Sequence, residues 1–231
     1  KFVYSASHDL RSPLASLKGL IFLAKEERDI DELKYYLELM LESIEKQDKF
    51  ILDIIDFSRN KKTPKKIEAV NIEALIDESV NQHIYYYKDT AVEIKKDIKT
   101  REIFTDPVRL KIILNNLISN AIKYRDPKKP VTLIKILTYE MENEYCLDVV
   151  DNGIGIEHDE LPKVFDMFFV SANNHIGTGL GLYIAKESIN KLGGRITVNS
   201  HRGMGTKFSI CLPNKIMDVE ISESLKSRAL S

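Results

Sequence analysis

Cysteine is almost missing: the 231 residues hold only Cys146 and Cys211. Each sits in an apolar, strand-like run, so neither a disulfide framework nor a cysteine metal site is expected, and a reducing compartment fits better. A dominant charge is missing too. Thirty-four Lys and Arg face 35 Asp and Glu, a formal net charge of -1, so no global field draws nucleic acid or an anionic membrane surface. No apolar run is long enough to cross a bilayer, and there is no signal peptide. The chain begins at Lys1 rather than at a methionine. That points to a piece of a longer protein, whose membrane segments, if it has them, lie elsewhere. What remains is an apolar content of 43%, sufficient for one large domain or two modest ones.

Glycine is scarce in the first sixty or so residues, with Gly19 alone, and long helices are expected there. Leu33, Leu37, Met40, Ile44, Ile51 and Ile54 recur at alternating spacings of four and three, with Gln47 and Ser58 completing the series and Leu41, Leu52 and Ile55 widening the stripe. This is the period of a helical-bundle seam. An earlier helix carries Val3, Leu10, Leu17 and Ala24 at intervals of seven, supported by Leu14, Leu20 and Ile21. The turn near Arg28 to Asp31 is short, so the two helices form an antiparallel hairpin. Two helices alone cannot bury such broad stripes; a dimer forming a four-helix bundle can.

Asn60 to Lys66, NKKTPKK, is basic and apolar-poor with a proline, and reads as a solvated linker whose core is residues 63–66. From Ile67 the period mixes. A helix is expected from Asn71 to about Tyr87, a strand over Ala91 to Ile98, and a short strand over Ile103 to Thr105. Asp106-Pro107 supplies an N-cap and a first-position proline for a helix running to about Tyr124. Strands follow over Val131 to Tyr139 and Tyr145 to Val150, a helix after Gly181, and strands over Arg195–Asn199 and Lys207–Leu212. The fold class is α+β: a helical hairpin (residues 1–62), the linker, then an α/β sandwich with helices on one face of an antiparallel or mixed sheet (67–213), and a polar tail (214–231).

Several short stretches carry chemistry. In SASHDLRSPL, His8 lies on the side of its helix away from the seam, followed by Asp9 and, five positions on, by Pro13. Imidazole is largely neutral at neutral pH and can attack an electrophile, with Asp9 taking the ring proton or fixing the tautomer. Pro13 removes the N–H that would bond the carbonyl of Asp9 and loosens the helix at the histidine. From spacing alone, His8 reads first as an ordinary exposed polar residue. In LNNLISNAIKYRD, Asn116, Asn120 and Lys123 share a helix face, with Tyr124 next to them. Two amide oxygens suit Mg²⁺ and a lysine suits phosphate, whereas a plain solvated stripe conflicts with the packed Leu117, Ile118, Ala121 and Ile122. DNGIGI ends a strand; its Asp151 is either a turn residue or an acceptor for an exocyclic amine such as adenine offers, with Gly153 and Gly155 giving close backbone approach. GTGLGLYIAKE opens a helix with Gly177, Gly179, Leu180 and Gly181, and is either a packing loop or a phosphate loop. It is neither a P-loop nor a dinucleotide fingerprint.

Taken in order, H-D-L-R-S-P-L, N-L-I-S-N-A-I-K-Y, D-N-G-I-G-I, V-F-D-M-F-F (164–169) and G-T-G-L-G-L resemble the catalytic core of sensor histidine kinases over nearly the whole chain, from about Phe2 to Leu212. The resemblance implies a dimerisation and histidine-phosphotransfer hairpin followed by a gyrase-like ATP-binding domain. It implies that His8 is the phosphoacceptor and Asp9 its assisting acid. Asn116 and Asn120 would bind Mg-ATP, Lys123 would contact phosphate, and Tyr124 would line the nucleotide site. Asp151 would read adenine, with Gly153 and Gly155 making room and Thr206, in G-M-G-T-K-F, backing it. Gly177, Gly179 and Gly181 would form the phosphate-side loop, and Phe165 and Phe168 fall in the F-box. Residues from about Glu157 to Thr178 would be a lid over ATP. Ser12 stands where family members that also act as phosphatases often have threonine or asparagine, and its hydroxyl can orient a water. ATP and Mg²⁺ are the implied cofactors, and a second copy of the chain and the receiver domain of a response regulator the implied partners. Neither nucleic acid nor, outside the missing parts of a parent, a membrane is expected, and the location is cytoplasmic. Two other readings compete: a gyrase-like ATPase that uses ATP only as a switch, and a degenerate kinase serving as a dimeric scaffold.

Overall fold

The computed structural model describes residues 2–84, 91–171 and 177–214, with residues 2–12 and 84 described by their backbone alone. Two helices come first, α1 (Phe2–Glu26) and α2 (Ile30–Lys62). The turn is tied by side chains. Glu27 accepts the N–H groups of Arg28 and Asp29, both at 2.8 Å. Asp29 caps α2 by accepting from Asp31 at 2.9 Å and Glu32 at 3.1 Å. The helices lie antiparallel, and the Ser43 hydroxyl of α2 donates to the Pro13 carbonyl of α1 at 3.1 Å. Pro13 is inside α1, as the sequence requires. Most seam residues face outward: Leu14, Ile21, Leu37, Leu41, Ile44, Ile51, Leu52 and Ile55 are exposed.

The second half is built on strands β1 (Glu68–Asn71), β2 (Val92–Ile98), β3 (Glu102–Thr105), β4 (Thr132–Met141), β5 (Glu144–Asp151), β6 (Arg195–His201) and β7 (Gly205–Pro213). Three helices lie between them, α3 (Ile72–Ile84), α4 (Pro107–Lys123) and α5 (Gly181–Leu192). The main sheet has the order β2-β4-β5-β7-β6. It is mixed: β2 and β4 are parallel, joined through β3 and α4, and the other neighbours are antiparallel. β1 and β3 form a separate antiparallel pair. Strand β1 has no clear signal of its own in the sequence, since its partner lies more than thirty residues away and supplies the reason for its extension. The core between sheet and helices holds Ile76 of α3, Ile113, Leu117, Ile118 and Ile122 of α4, Ile134 and Ile136 of β4, and Val149 of β5.

One expectation is corrected and a second is refined. Cys146 and Cys211 are not free thiols; they form a disulfide. They stand directly opposite each other where β5 pairs with β7. An antiparallel register brings such side chains together whatever their distance in sequence, and the sequence does not reveal the register. The stretch from Asn60 departs from a solvated connector at its start only: residues 61–66 are exposed, but Asn60 is not. Helix α2 continues through Lys62, with Thr63 as its C-cap, and Asn60 is buried. The buried Arg109 of α4 donates to the Asn60 side chain at 3.1 Å, to its carbonyl at 3.2 Å and to the Thr63 carbonyl at 2.5 Å. Its remaining partner is Asp106, the N-cap of α4, which also accepts the Lys66 N–H at 3.0 Å. Lys191 of α5 donates to the carbonyls of Asn60, Lys61 and Thr63 at 2.5, 3.0 and 3.1 Å. The end of α2 is therefore gripped by the second half of the chain.

Candidate nucleotide site at the meeting of α4, α5 and β5

Helix α4 lays its apolar side on the sheet and turns a polar edge toward the start of α5. The Asn116 Nδ2 donates to the Ile112 carbonyl at 2.9 Å. That bond fixes the amide, so Oδ1 is the free oxygen, and it points at the opening of α5: a Cβ on Gly181 would lie 2.6 Å from it. The arrangement fits Mg²⁺, which takes oxygen ligands. Asn120 is half-buried one turn further along. Lys123 follows, its ammonium donating to the Tyr124 hydroxyl at 3.2 Å and lying beside Gly177. Burial, together with the nearby Lys49 ammonium, holds the Lys123 pKa down at about 8 despite the opposing Asp53 carboxylate. Burial likewise raises that of Tyr124.

Strand β5 ends at Asp151. Its Oδ1 accepts the Gly153 N–H at 2.8 Å and the Thr206 N–H at 3.2 Å. Burial outweighs these two bonds and the Lys129 charge and raises its pKa to about 6. Gly153 is required by close approach: a Cβ there would run into the Tyr124 carbonyl and sit 2.9 Å from Asp151 Oδ1. The Tyr124 carbonyl also accepts the Ile154 N–H at 3.0 Å, so α4's end and the DNGIGI turn are locked together. Thr206 is buried, its hydroxyl 2.9 Å from that of Ser200.

The glycine loop runs from Gly177 into α5. Its three glycines face three separate groups. Gly177 meets Lys123, Gly181 meets Asn116, and Gly179 backs onto Phe168, whose N–H donates to the Gly179 carbonyl at 2.9 Å. Phe168 has φ 66, a strained value for a side chain with a Cβ. Leu180 is wholly buried, so its side chain serves packing rather than an open site. Phe165 packs edge-on to Phe208 at 6.2 Å with the Lys186 ammonium over its ring at 5.5 Å. Gly155 abuts the His201 carbonyl. Of the expected lid, residues 172–176 lie outside the described residues, as do the side chains of His8, Asp9 and Ser12; all three of these residues belong to α1.

Several residues of the site were missed from sequence. Lys129 bridges the carbonyls of Asn152 at 2.6 Å and Gly203 at 2.8 Å. The Asn152 amide pairs with the backbone of Leu133 and Val131. Ser200 accepts the Ile156 N–H at 2.9 Å and donates to the Gly205 carbonyl at 2.8 Å. Apart from Ser200 to Gly205, these bonds cross long sequence separations, and none leaves a periodic trace. One missed set did leave a trace. Phe50, Asp53, Phe57 and Asn60 recur every three or four residues on α2, off the seam, and all are buried. This second stripe packs Phe50 and Phe57 against Ile112, Leu180 and Ile184.

A mixed sheet backed by α4, with a glycine loop facing the helix's asparagine–lysine edge and a buried acid at a strand end, is the architecture of one ATPase class. Residues 105–216 match the family described as histidine kinase-, DNA gyrase B- and HSP90-like ATPase. Residues 1–63 match the His Kinase A (phospho-acceptor) domain. The chain thus belongs to the sensor histidine kinases, as part of their catalytic core. Sensor protein kinase WalK of Staphylococcus haemolyticus (strain JCSC1435) is 32% identical over 94% of this chain. The chain spans only 37% of that relative's length. Among solved structures, the Acinetobacter baumannii histidine kinase AdeS is similar at TM-score 0.70 and 21% identity, over 90% of this chain and 98% of that one. Histidine kinase ThkA, solved in complex with the response regulator TrrA, is similar at TM-score 0.73 and 22% identity, over 92% of this chain and 61% of that one. No helix among the described residues is long and apolar enough to cross a membrane.

Proposed function

We propose that the chain is an autophosphorylating protein-histidine kinase module that takes the γ-phosphoryl group of ATP onto His8 and relays it to an aspartate of a response regulator. The observation that carries this reading is the convergence of Asn116, Lys123 and the glycine loop at the start of α5, with Asp151 at the end of the neighbouring strand. The Asp151 carboxylate accepts a hydrogen bond from the adenine amine, with Thr206 and Gly153 holding it in place and Gly155 shaping the turn. Tyr124 lines the site. Asn116 and Asn120 offer amide oxygens to Mg²⁺, which neutralises phosphate charge when bound. Lys123 and the N–H groups of Gly177, Gly179, Leu180 and Gly181 meet the phosphates. Phe168, braced on Gly179, sets the loop's position, and Phe165 anchors that segment to the core.

In the transfer, an imidazole nitrogen of His8 forms a bond to the γ-phosphorus as the bond to the β–γ bridging oxygen breaks and ADP leaves. Asp9 takes the ring proton. The protein's task is positioning and charge neutralisation. The exposed seam of the hairpin pairs with a second copy of the chain in a four-helix bundle. Use of ATP and of a response regulator puts the working module in the cytoplasm, and Ser12 supplies a hydroxyl that can orient a water for phosphatase action. The division at residues 62 and 67, with the tail from 214, separates the hairpin from the ATP-binding domain.

The test is incubation of the chain with γ-labelled ATP and Mg²⁺ beside His8→Gln. An acid-labile, base-stable label present in the parent chain and absent in the variant is expected. Steady phosphate release without protein labelling would instead indicate a switch ATPase, and a failure to bind nucleotide at millimolar ATP a scaffold.

A further inference from the structure

A carboxylate of the hairpin sits against the glycine loop. Asp53 of α2 is 1% exposed. Its Oδ2 accepts the Thr178 hydroxyl at 2.6 Å, and its Oδ1 is held by the Lys49 ammonium at 2.8 Å. The same Thr178 oxygen accepts the Leu180 N–H at 3.2 Å. A chain of two hydrogen bonds therefore joins a buried anion to a backbone donor at the opening of α5. Thr178 lies between Gly177, which faces Lys123, and Gly179, which faces Phe168. Lys49 and Asp53 both act on the Lys123 charge, in opposite senses and Lys49 the more strongly. Around this polar contact, Phe50 and Phe57 close an apolar seal with Leu180 and Ile184. The hairpin thus reaches the phosphate side of the proposed ATP site with the Lys49–Asp53 ion pair, and the acid of that pair is the member that binds the loop.

We infer that Asp53 is an internal competitor of the triphosphate: it holds the hairpin docked on the glycine loop, and the nucleotide's phosphates and this carboxylate exclude one another. The inference rests on the glycine loop being the phosphate site. The donors at a helix start serve one set of acceptors at a time. Like charges brought together away from water repel far more strongly than in solvent. A triphosphate entering beside Lys123 meets Asp53 at short range, and relief comes when α2 moves its acid off Thr178. Linkage makes the effect reciprocal: docking weakens nucleotide binding by the factor by which nucleotide weakens docking. ATP binding is then the event that frees the hairpin for the rearrangement that brings His8 to the γ-phosphate.

The experiment is calorimetric titration of the whole chain with the non-hydrolysable ATP analogue AMPPNP and with ADP, in Mg²⁺, for the parent, Asp53→Asn and Asp53→Ala. Asp53→Asn keeps the shape and removes the charge; Asp53→Ala removes the acceptor as well. Both variants are expected to bind AMPPNP tighter, Asp53→Ala by about tenfold, the size of one hydrogen bond to a charged group. ADP, lacking the third phosphate, is expected to gain less. Unchanged or weaker AMPPNP binding in a variant whose circular dichroism matches the parent overturns the inference while leaving the kinase reading intact. Absence of nucleotide binding in all three chains overturns that reading and the inference with it.

Discussion

The hairpin and the ATP-binding half carry equally strong apolar stripes and treat them in opposite ways. In α4, Ile113, Ile118 and Ile122 are fully buried. In α2, Leu37 is 61% and Leu41 56% exposed, and Phe22 of α1 is 69% exposed. A stripe at helical period says that a face will be covered, not by what. For α4 the cover is the chain's own sheet. For the hairpin seam it is a surface that the described residues do not supply, which fits an interface with a second copy. One half folds to complete itself; the other folds to be completed.

That contrast is broken most completely at His8. His8→Gln is expected to abolish the acid-labile label while leaving nucleotide affinity unchanged, since α1 supplies the acceptor and the other half the binding site; labelling alongside calorimetry checks both. Next in size is the seam. Leu37→Asp with Leu41→Asp is expected to convert dimer to monomer in sedimentation equilibrium, while the ATP-binding half keeps its melting transition. A reversal of roles checks the other half: Ile118→Ala is expected to destabilise it by about 2–5 kcal/mol in denaturant unfolding, through lost burial and a cavity, with no effect on dimerisation.

A subtler handle is pH. Asp151 is a charged acceptor above its raised pKa of about 6 and loses that charge below it. Lys123 carries its positive charge below about 8 and loses it above. Nucleotide affinity is therefore expected to fall at both ends and to be greatest between these values. In Asp151→Asn binding is weaker throughout and the Asp151 share of the acid limb disappears, so that any fall left at low pH is the nucleotide's own. The smallest expected effect is at Pro13. Pro13→Ala restores the missing donor opposite the Asp9 carbonyl, straightens α1 and slows labelling severalfold without touching nucleotide binding; an unchanged rate removes the bending role from Pro13.

Local chemistry made much of this readable. Asp106-Pro107 announced the start of α4, and Asp106 does accept the Arg109 N–H at 3.0 Å. Strands β4 and β5 begin and end within a few residues of where their composition placed them, and helix α5 begins at Gly181, where the glycine loop was expected to open a helix. The α4 edge was visible because its polar residues interrupt an otherwise packed face. What escaped was set by register and by long-range partners: the pairing of Cys146 with Cys211, the extension of β1, the bonds of Lys129, and that of Ser200 with Ile156. The docking stripe of α2 escaped for another reason. A dominant seam of Leu and Ile masked a second, narrower set in which Phe50 and Phe57 alternate with Asp53 and Asn60. A helix with two periodic faces has two partners, and only the broader one catches the eye.

The grip on the end of α2 has a mechanical consequence. Arg109 and Lys191 hold the carbonyls of Asn60, in the last turn of α2, and of Thr63, its C-cap. Rotation of α2 by one residue's worth, about 100°, carries those oxygens out of reach. Torque applied to the hairpin from upstream is therefore not lost in a slack tether; it arrives at the first turn of α4 and the last turn of α5, the two shafts that frame the glycine loop.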